Sequence, residues 1–490
     1  MANPLLLTDF YKTIHHLCYA ENMTKLFSYW TPRMSRKENM DKVVMFGLQP
    51  FLKKYLIDYF NENFFNKDKK EVIDEYKRII SKTMGDLAAD TKHIEKLHDL
   101  GYLPIEIRAI EEGERVNIKT PMIEITNTHK DFAWLVNYLE TFMSCHIWQP
   151  MTSATIAYRY REIITKYFDE TVENGVINKA CGDFSMRGFS SLESAEISSC
   201  GHLLSFTGTA TIPSIMFLEK YYNADVDKEV VGLGTPSTEH SVMCSYGQDE
   251  LRAYTRLITE VFPTGVLSIV SDTYDYWNLI TNILAQIKDK IMARDGKVVK
   301  RGDSGDPVKI ICGDDAAPEG TPERKGTVEL LWDIFGGEVN SKGYKVLDKH
   351  IGTIYGDSIT VERCESICEG LKKKGFAVNN CTFGIGSYTY QFNTRDTFGF
   401  ALKATHAVIE GEERFIFKAP KTDTGNFKKS QKGICYVYRD GEDILYKDEL
   451  KIKDREELKD NLLKPVFKDG KLLKDFSLAE IRNKLYKGNF

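Results

Sequence analysis

Val266-Leu-Ser-Ile-Val-Ser-Asp272 is a short apolar run that ends on a carboxylate, and three later stretches repeat its form. They are Lys297-Val-Val-Lys-Arg-Gly-Asp303, Ile351-Gly-Thr-Ile-Tyr-Gly-Asp357 and Asn380-Cys-Thr-Phe-Gly-Ile-Gly386. Helical periods lie around them. Leu251, Tyr254, Leu257, Ile258 and Val261 recur on one face until Pro263. Val361, Cys364, Ile367, Cys368 and Leu371 do the same, and Lys372–Lys374 with Gly375 read as a helix stop. Strand, polar loop and helix in repetition predict a mainly parallel sheet with helices outside it. Carboxylates and glycines at strand ends predict a barrel, whose site is built from the loops after its strands. Any single Asp there reads equally well as a cap of the next helix; three of them favour a site.

The rest of the 490 residues fits around this barrel. The length allows two or three domains. Hydrophobic residues make up 42% and charged residues 28%, which excludes a disordered chain. With 66 basic and 71 acidic residues the net charge is −5, so nucleic acid is not an expected partner. Met1 to Lys12 lacks the basic, then apolar, pattern of a secretory signal, and no run is long enough to span a membrane. Ten cysteines without a CxxC pair suit a reduced, cytoplasmic setting, and Cys364 with Cys368 reads as a core pair. In the N-terminal third, Pro50 opens an amphipathic helix through Phe51, Leu52, Tyr55, Leu56, Tyr59 and Phe60. Phe132 to Trp148 reads as a buried helix and Lys67 to Lys70 as a solvated turn. The C-terminal hundred residues hold a basic loop, two strands at Ile434–Arg439 and Asp443–Lys447, and a last helix ending at Tyr486. This part reads as a return to the first domain.

Several segments carry chemistry. Arg301-Gly-Asp-Ser-Gly-Asp-Pro307 offers a guanidinium fork, a carboxylate and small residues that let backbone N–H groups approach a ligand. Gly356-Asp357 and the turn Gly384-Ile-Gly386-Ser387 repeat this on later strands. Arg395, Lys403, Lys418 and the stretch Lys421 to Gly433 suit a phosphate or pyrophosphate, or form a solvated basic face. Phe184 with Arg187 suits a flat heteroaromatic ligand, or core packing beside an ion pair. His240, in Thr238-Glu-His-Ser241, precedes a helix; a lone loop histidine is more often structural than reactive. No HxxxH or HxH spacing occurs, so zinc is not expected and no residue is assigned as a metal ligand.

The segments DFYK, DFSMRG, STEHS, SIVSDTYD, RGDSGDP, IYGDSIT, NTRD and KTD…KKSQKG occur in one order. In this the chain resembles the nicotinate/nicotinamide phosphoribosyltransferase family, from about residue 4 to the last helix. The resemblance implies an irregular (β/α) barrel of the type II phosphoribosyltransferase kind and a second α/β domain built from both termini. The division it implies is a barrel over 151–394, with 1–150 and 395–490 forming the other domain. It implies transfer of a phosphoribosyl group from 5-phosphoribosyl 1-pyrophosphate to nicotinamide, with Mg²⁺ accompanying the donor and ATP as co-substrate. It also implies a homodimer with active sites at the interface. By position, Phe184 and Tyr11, the latter from the partner subunit, sandwich the base. Arg187 lies beside the carboxamide, and Arg301 near base and donor. Asp303, Asp357 and Gly356 bind the ribose diol. Arg33, Arg395, Lys403 and Lys418 surround phosphate and pyrophosphate. His240 is phosphorylated by ATP, beside Asp272.

Three positions depart from the family. Ala210 replaces an Asp that reads the carboxamide, a loss of about 1–3 kcal/mol, or roughly 5- to 150-fold. Nicotinate therefore stays open as the base. The turn at Gly386, Ser387 and Tyr388, together with Ala401, differs where the donor's 5′-phosphate should bind. ADP-ribose carrying a 1-pyrophosphate stays open as the donor, with Tyr388 stacking on adenine. Gly302 stands where the family often has proline, which loosens a turn. A catalytically silent dimeric binding protein on the same scaffold is the alternative from another class; retained Asp303, Asp357, Arg301 and His240 argue against it.

Overall fold

A computed structural model describes residues 2–418 and 430–490. The chain forms two units. One comprises Met1–Thr155, Phe217–Ala224 and Asn393–Phe490; the other comprises Ile156–Met216 and Asp225–Phe392. The second half of helix Ile212–Tyr222 belongs to the first unit.

The second unit is the barrel. Its strands are β1 (Cys181–Asp183), β2 (Gly208–Thr209), β3 (Thr264–Val270), β4 (Asp295–Gly302), β5 (Ile351–Tyr355) and β6 (Cys381–Ile385). They lie in the order β2-β1-β6-β5-β4-β3, and every pair is parallel. The segment from Leu233 to Thr238 joins the two edges. Leu233 bridges Gly208 beside β2, and Ser237 bridges Ser268 on β3, both in parallel sense. Thr238 Oγ1 also accepts a hydrogen bond from the Val270 N–H at 2.9 Å. The segment thus meets the sheet at both borders, at Gly208 on one side and at Ser268 on the other. β5 is buried throughout, as a strand covered on both faces must be. Helices follow the strands: Leu192–His202 after β1, Pro307–Cys312 after β4 and Val361–Lys373 after β5. Thr360 caps the last of these by accepting from the Arg363 N–H, and Gly375 takes φ +74° where the chain turns away. Cys364 and Cys368 are both fully buried in this layer.

The first unit is built on a seven-stranded antiparallel sheet that draws on both ends of the chain. Its order is Glu412–Phe415, Ala401–Ile409, Met23–Thr31, Ile123–Asn127, Ile105–Ala109, Lys464–Lys468 and Lys471–Leu472. Met23–Thr31 sits near its centre, and its last six residues are buried on both faces. The N-terminal third therefore holds strands where the sequence reads as helices and loops. The expected helix after Pro50 is present as helical turns over Phe51–Tyr59 and Asn61–Phe65. Asp68, in the charged turn, caps helix Lys69–Met84 by accepting from the Glu71 N–H. The pair Ile434–Asp440 and Asp443–Leu450 forms a hairpin, and Ser477 with Glu480 caps the final helix, Leu478–Tyr486. Among the described residues no helix is long and apolar enough to cross a membrane.

Candidate active site at the C-terminal rim of the barrel

Register decides which side chains meet. Val270 pairs with Arg301, Gly302 with Tyr355, Tyr355 with Phe383, and Ile385 with Asp183. The residues just beyond these pairs stand at one level on the C-terminal rim, and they are the ones singled out in the sequence. Asp303 is the centre of the group. Its Oδ2 lies 3.2 Å from Arg301 Nη2 and 3.7 Å from His240 Nε2. His240 Nε2 lies 3.8 Å from Asp272 Oδ1, and the Asp303 N–H donates to Asp272 Oδ2 at 3.0 Å. Thr273 Oγ1 is 3.4 Å from His240 Nδ1. The backbone beneath is fixed by Ser271, whose Oγ accepts from the Arg301 N–H at 3.2 Å and lies 2.8 Å from the Tyr254 hydroxyl. Ser271 lies inside the segment SIVSDTYD and Tyr254 on a helical period, but the sequence assigns neither a role in the site.

The electrostatics are those of a site awaiting a ligand. Burial raises the Asp303 carboxyl; Arg301 opposes this and Asp272 adds to it. One oxygen each of Asp272 and Asp303, and Nε of Arg301, are buried without a hydrogen-bond partner. Such groups cost about 1–3 kcal/mol apiece unless something fills the space. His240, Asp272 and Asp303 also bring potential metal-ligating atoms within 4.8 Å of one another. Two carboxylates with free oxygens fit a hard cation such as Mg²⁺.

Glycines let the acids come this close. A Cβ on Gly356 would overlap Asp303 Oδ1 and lie 2.9 Å from Arg301 Cδ. One on Gly386 would overlap Asp357 Oδ1, and one on Gly188 would overlap Ser387. Asp357 itself is exposed, and Ser358 after it takes φ +55°. Asp183, fully buried, ties β1 to β2. Its Oδ1 accepts from Ser185 N and Oγ at 3.0 and 2.5 Å, and its Oδ2 from Thr211 Oγ1 at 3.1 Å. Its carbonyl accepts from the Ala210 N–H at 2.8 Å, which sets exposed Ala210 on the rim. Phe184 is held by its N–H to the Ile385 carbonyl at 2.9 Å and its ring lies over Gly182, half-buried. Arg187 is exposed. Tyr388 and Phe392, 64% and 70% exposed, stack on each other with centroids 5.0 Å apart.

The remaining predicted residues belong to the first unit. Arg33, Arg395 and Lys403 come together there. Burial lowers the Arg33 pKa and Arg395 lowers it further; Lys403 is lowered by burial, against Glu140, with Arg33, Lys12 and Arg395 contributing. Lys12, which the sequence reading passed over, pairs with Glu140 at 2.5 Å. Cations that raise one another's energy are relieved by a polyanion. Tyr11 is 55% exposed and its hydroxyl donates to Asp9 at 3.1 Å. Lys418 follows strand Glu412–Phe415 and its N–H donates to Ser430 Oγ at 3.0 Å. Of the basic stretch after it, residues 421–429 lie outside the described residues.

Comparison with known proteins agrees with this geometry. Residues 180–471 match the nicotinate phosphoribosyltransferase (NAPRTase) family, and residues 3–107 match the N-terminal domain of nicotinamide phosphoribosyltransferase. A nicotinamide phosphoribosyltransferase of Acinetobacter baylyi is 46% identical across 99% of this chain and 97% of its own. One from Mycoplasma pneumoniae is 36% identical over 86% and 92%. In fold, the chain is similar to a nicotinate-nucleotide pyrophosphorylase from Pyrococcus furiosus, with TM-score 0.56, 15% identity, and 99% and 96% of the chains covered. Human nicotinic acid phosphoribosyltransferase gives 0.52 at 14% identity, over 98% and 93%. Matched over more than half its length by one family and over nearly all of it by a relative at 46% identity, the chain belongs to the nicotinate phosphoribosyltransferase family.

Proposed function

We propose that this chain is a pentosyltransferase that moves a phosphoribosyl group from 5-phosphoribosyl 1-pyrophosphate to nicotinamide, giving nicotinamide mononucleotide and pyrophosphate. The observation that carries this reading is the convergence of Arg301, Asp303, Asp272 and His240 on one rim, where one oxygen of each carboxylate and the Arg301 Nε are buried without a partner. The relatives' names supply the base and the donor. Departure of pyrophosphate from ribose C1 leaves an oxocarbenium-like sugar. The carboxylates of Asp303 and Asp357 hold the sugar, and Arg33, Arg395, Lys403 and Lys418 take the charge of the leaving group. Magnesium, arriving with donor and ATP, adds charge neutralisation. The pyridine nitrogen is the nucleophile, so Phe184, Arg187 and a partner subunit's tyrosine at position 11 need only orient it. His240 accepts the phosphoryl group of ATP, with Asp272 and Asp303 flanking the ring, and so couples hydrolysis to donor binding. The enzyme acts as a cytoplasmic homodimer. Incubation with base, donor, Mg²⁺ and ATP yields a mononucleotide by mass spectrometry; no product with either nicotinamide or nicotinate overturns the reading.

A second donor is favoured by one observation. Tyr388 and Phe392 present an exposed stacked pair directly after the turn at Gly386 and Ser387. An adenine could extend that stack, so ADP-ribose 1-pyrophosphate is the alternative donor and the product would be NAD. Crossing two bases with two donors decides between them and also reads the effect of Ala210.

A further inference from the structure

A second cluster of potential ligands lies in the first unit. His16 sits in the turn His15–Cys18, Asp90 follows the turn Asp86–Ala89, and His93 opens helix Lys92–Leu100. The two imidazole rings stack with centroids 3.5 Å apart and planes at 19°. His16 Nε2 is 3.6 Å from Asp90 Oδ2, and Trp134 stands edge-on to His93 at 4.7 Å. Each of the three residues offers one ligand atom, and these atoms lie within 4.8 Å of one another.

Hydrogen bonding shows what the cluster lacks. His16 Nδ1 lies 3.0 Å from the Thr13 carbonyl, which only accepts, so Nδ1 carries the hydrogen and Nε2 holds a lone pair. That Nε2 and both nitrogens of His93 are buried without a partner among the described residues. Ligand atoms of two imidazoles and a carboxylate are thus gathered within 4.8 Å of one another, and three of the imidazole nitrogens are without a hydrogen-bond partner among the described residues. A water molecule has two hydrogens for three acceptors, whereas a cation satisfies all three.

We propose that His16, His93 and Asp90 bind a divalent cation of the zinc class at a site separate from the barrel. Two imidazole nitrogens and one carboxylate, with water as the fourth ligand, is a set that zinc and its late first-row neighbours accept. Tetrahedral ligands about 2.0 Å from zinc lie about 3.3 Å apart, a spacing the cluster can reach once the two rings turn out of their stack to direct both nitrogens at one ion. The Nδ1–H bond of His16 to a carbonyl is the outer contact that orients a metal-binding imidazole. Spacing along the chain excluded zinc only for neighbouring histidines; these ligands come from separate elements. A bound ion ties the turn Phe10–Ile14, which carries Tyr11, to helix Lys92–Leu100.

The test uses the full chain stripped with chelator and titrated with Co²⁺, whose tetrahedral complexes absorb in the visible, followed by Zn²⁺. One equivalent of Co²⁺ gives the band, Zn²⁺ displaces it, and Zn²⁺ raises the melting temperature. His93→Leu abolishes the band, and Asp90→Asn weakens binding by at least about tenfold. His240→Ala keeps the band, which separates this site from the rim. Absence of stoichiometric Co²⁺ binding, or a band that survives both His93→Leu and Asp90→Asn, overturns the proposal. Where His93→Leu does not fold, Asp90→Asn decides alone, since its side chain is one-third exposed.

Discussion

Replacing Gly356 with alanine tests whether the placement of Asp303 controls the chemistry. The added Cβ would overlap Asp303 Oδ1 and stand 2.9 Å from Arg301 Cδ, inside the 3.4 Å at which ordinary contact begins. Arg301 is anchored by its backbone to Ser271, so the carboxylate is the part that yields, by roughly 1 Å. A shift of that size breaks the 3.2 Å pairing with Arg301 and the 3.7 Å approach to His240. Misplacement on this scale costs on the order of 100-fold, or about 2.7 kcal/mol of transition-state stabilisation. Stability should change little, because a short side chain at the rim can swing towards solvent; the melting temperature moves by no more than about 2–4 °C. The assay is kcat/KM for mononucleotide formation beside a thermal melt. Gly384→Ala is the contrast: its Cβ would meet Gly356 C and Tyr355 O, both backbone, at 2.6 Å, so it lowers stability as well. A Gly356→Ala enzyme within about threefold of wild type in kcat/KM refutes the reasoning.

Three further outcomes are expected. His240→Ala abolishes stimulation by ATP while residual transfer persists, and unchanged stimulation removes the role given to this side chain. Asp183→Ala strips the acceptor that joins Ser185 to Thr211 and costs at least about 2–3 kcal/mol, read as a fall of several degrees in melting temperature; an unchanged melt contradicts it. Lys300, fully buried with Nζ 3.9 Å over the Tyr276 ring, has its pKa pushed by burial down to about 7 from 10.5. Between those values the unfolded chain binds a proton that the folded chain does not. Lys300 therefore makes stability rise with pH across that window, by up to about 1.4 kcal/mol per unit, and Lys300→Met flattens the profile. An identical profile in the variant rules this out.

What could be read in advance follows from burial. β5 and β6 are buried nearly throughout and β3 over its last four residues, β4 carries Val298 and Val299 between lysines, and each breaks off at a polar or glycine end, so both strand and site were visible. β1 and β2 have three and two residues, too few for any pattern, although Phe184 and Ala210 follow them. The closing segment from Leu233 to Thr238 makes isolated bridges and offers no period at all. Met23–Thr31 failed for the opposite reason: burial of both faces erased the alternation by which an antiparallel strand is recognised. Among site residues, Arg301 and Asp303 are neighbours in sequence, so their pairing was legible. The approach of His240 to Asp272 came only from the family resemblance and its approach to Asp303 not at all, because both exist only once Ser237 has closed the barrel against β3. Closure thus does two jobs. It brings the closing segment against both borders of the sheet, and it delivers a histidine to carboxylates that follow two different strands. Glycines at 356 and 386 then decide how near the acids stand, which is why a single methyl group at the rim should be felt in the reaction before it is felt in the fold.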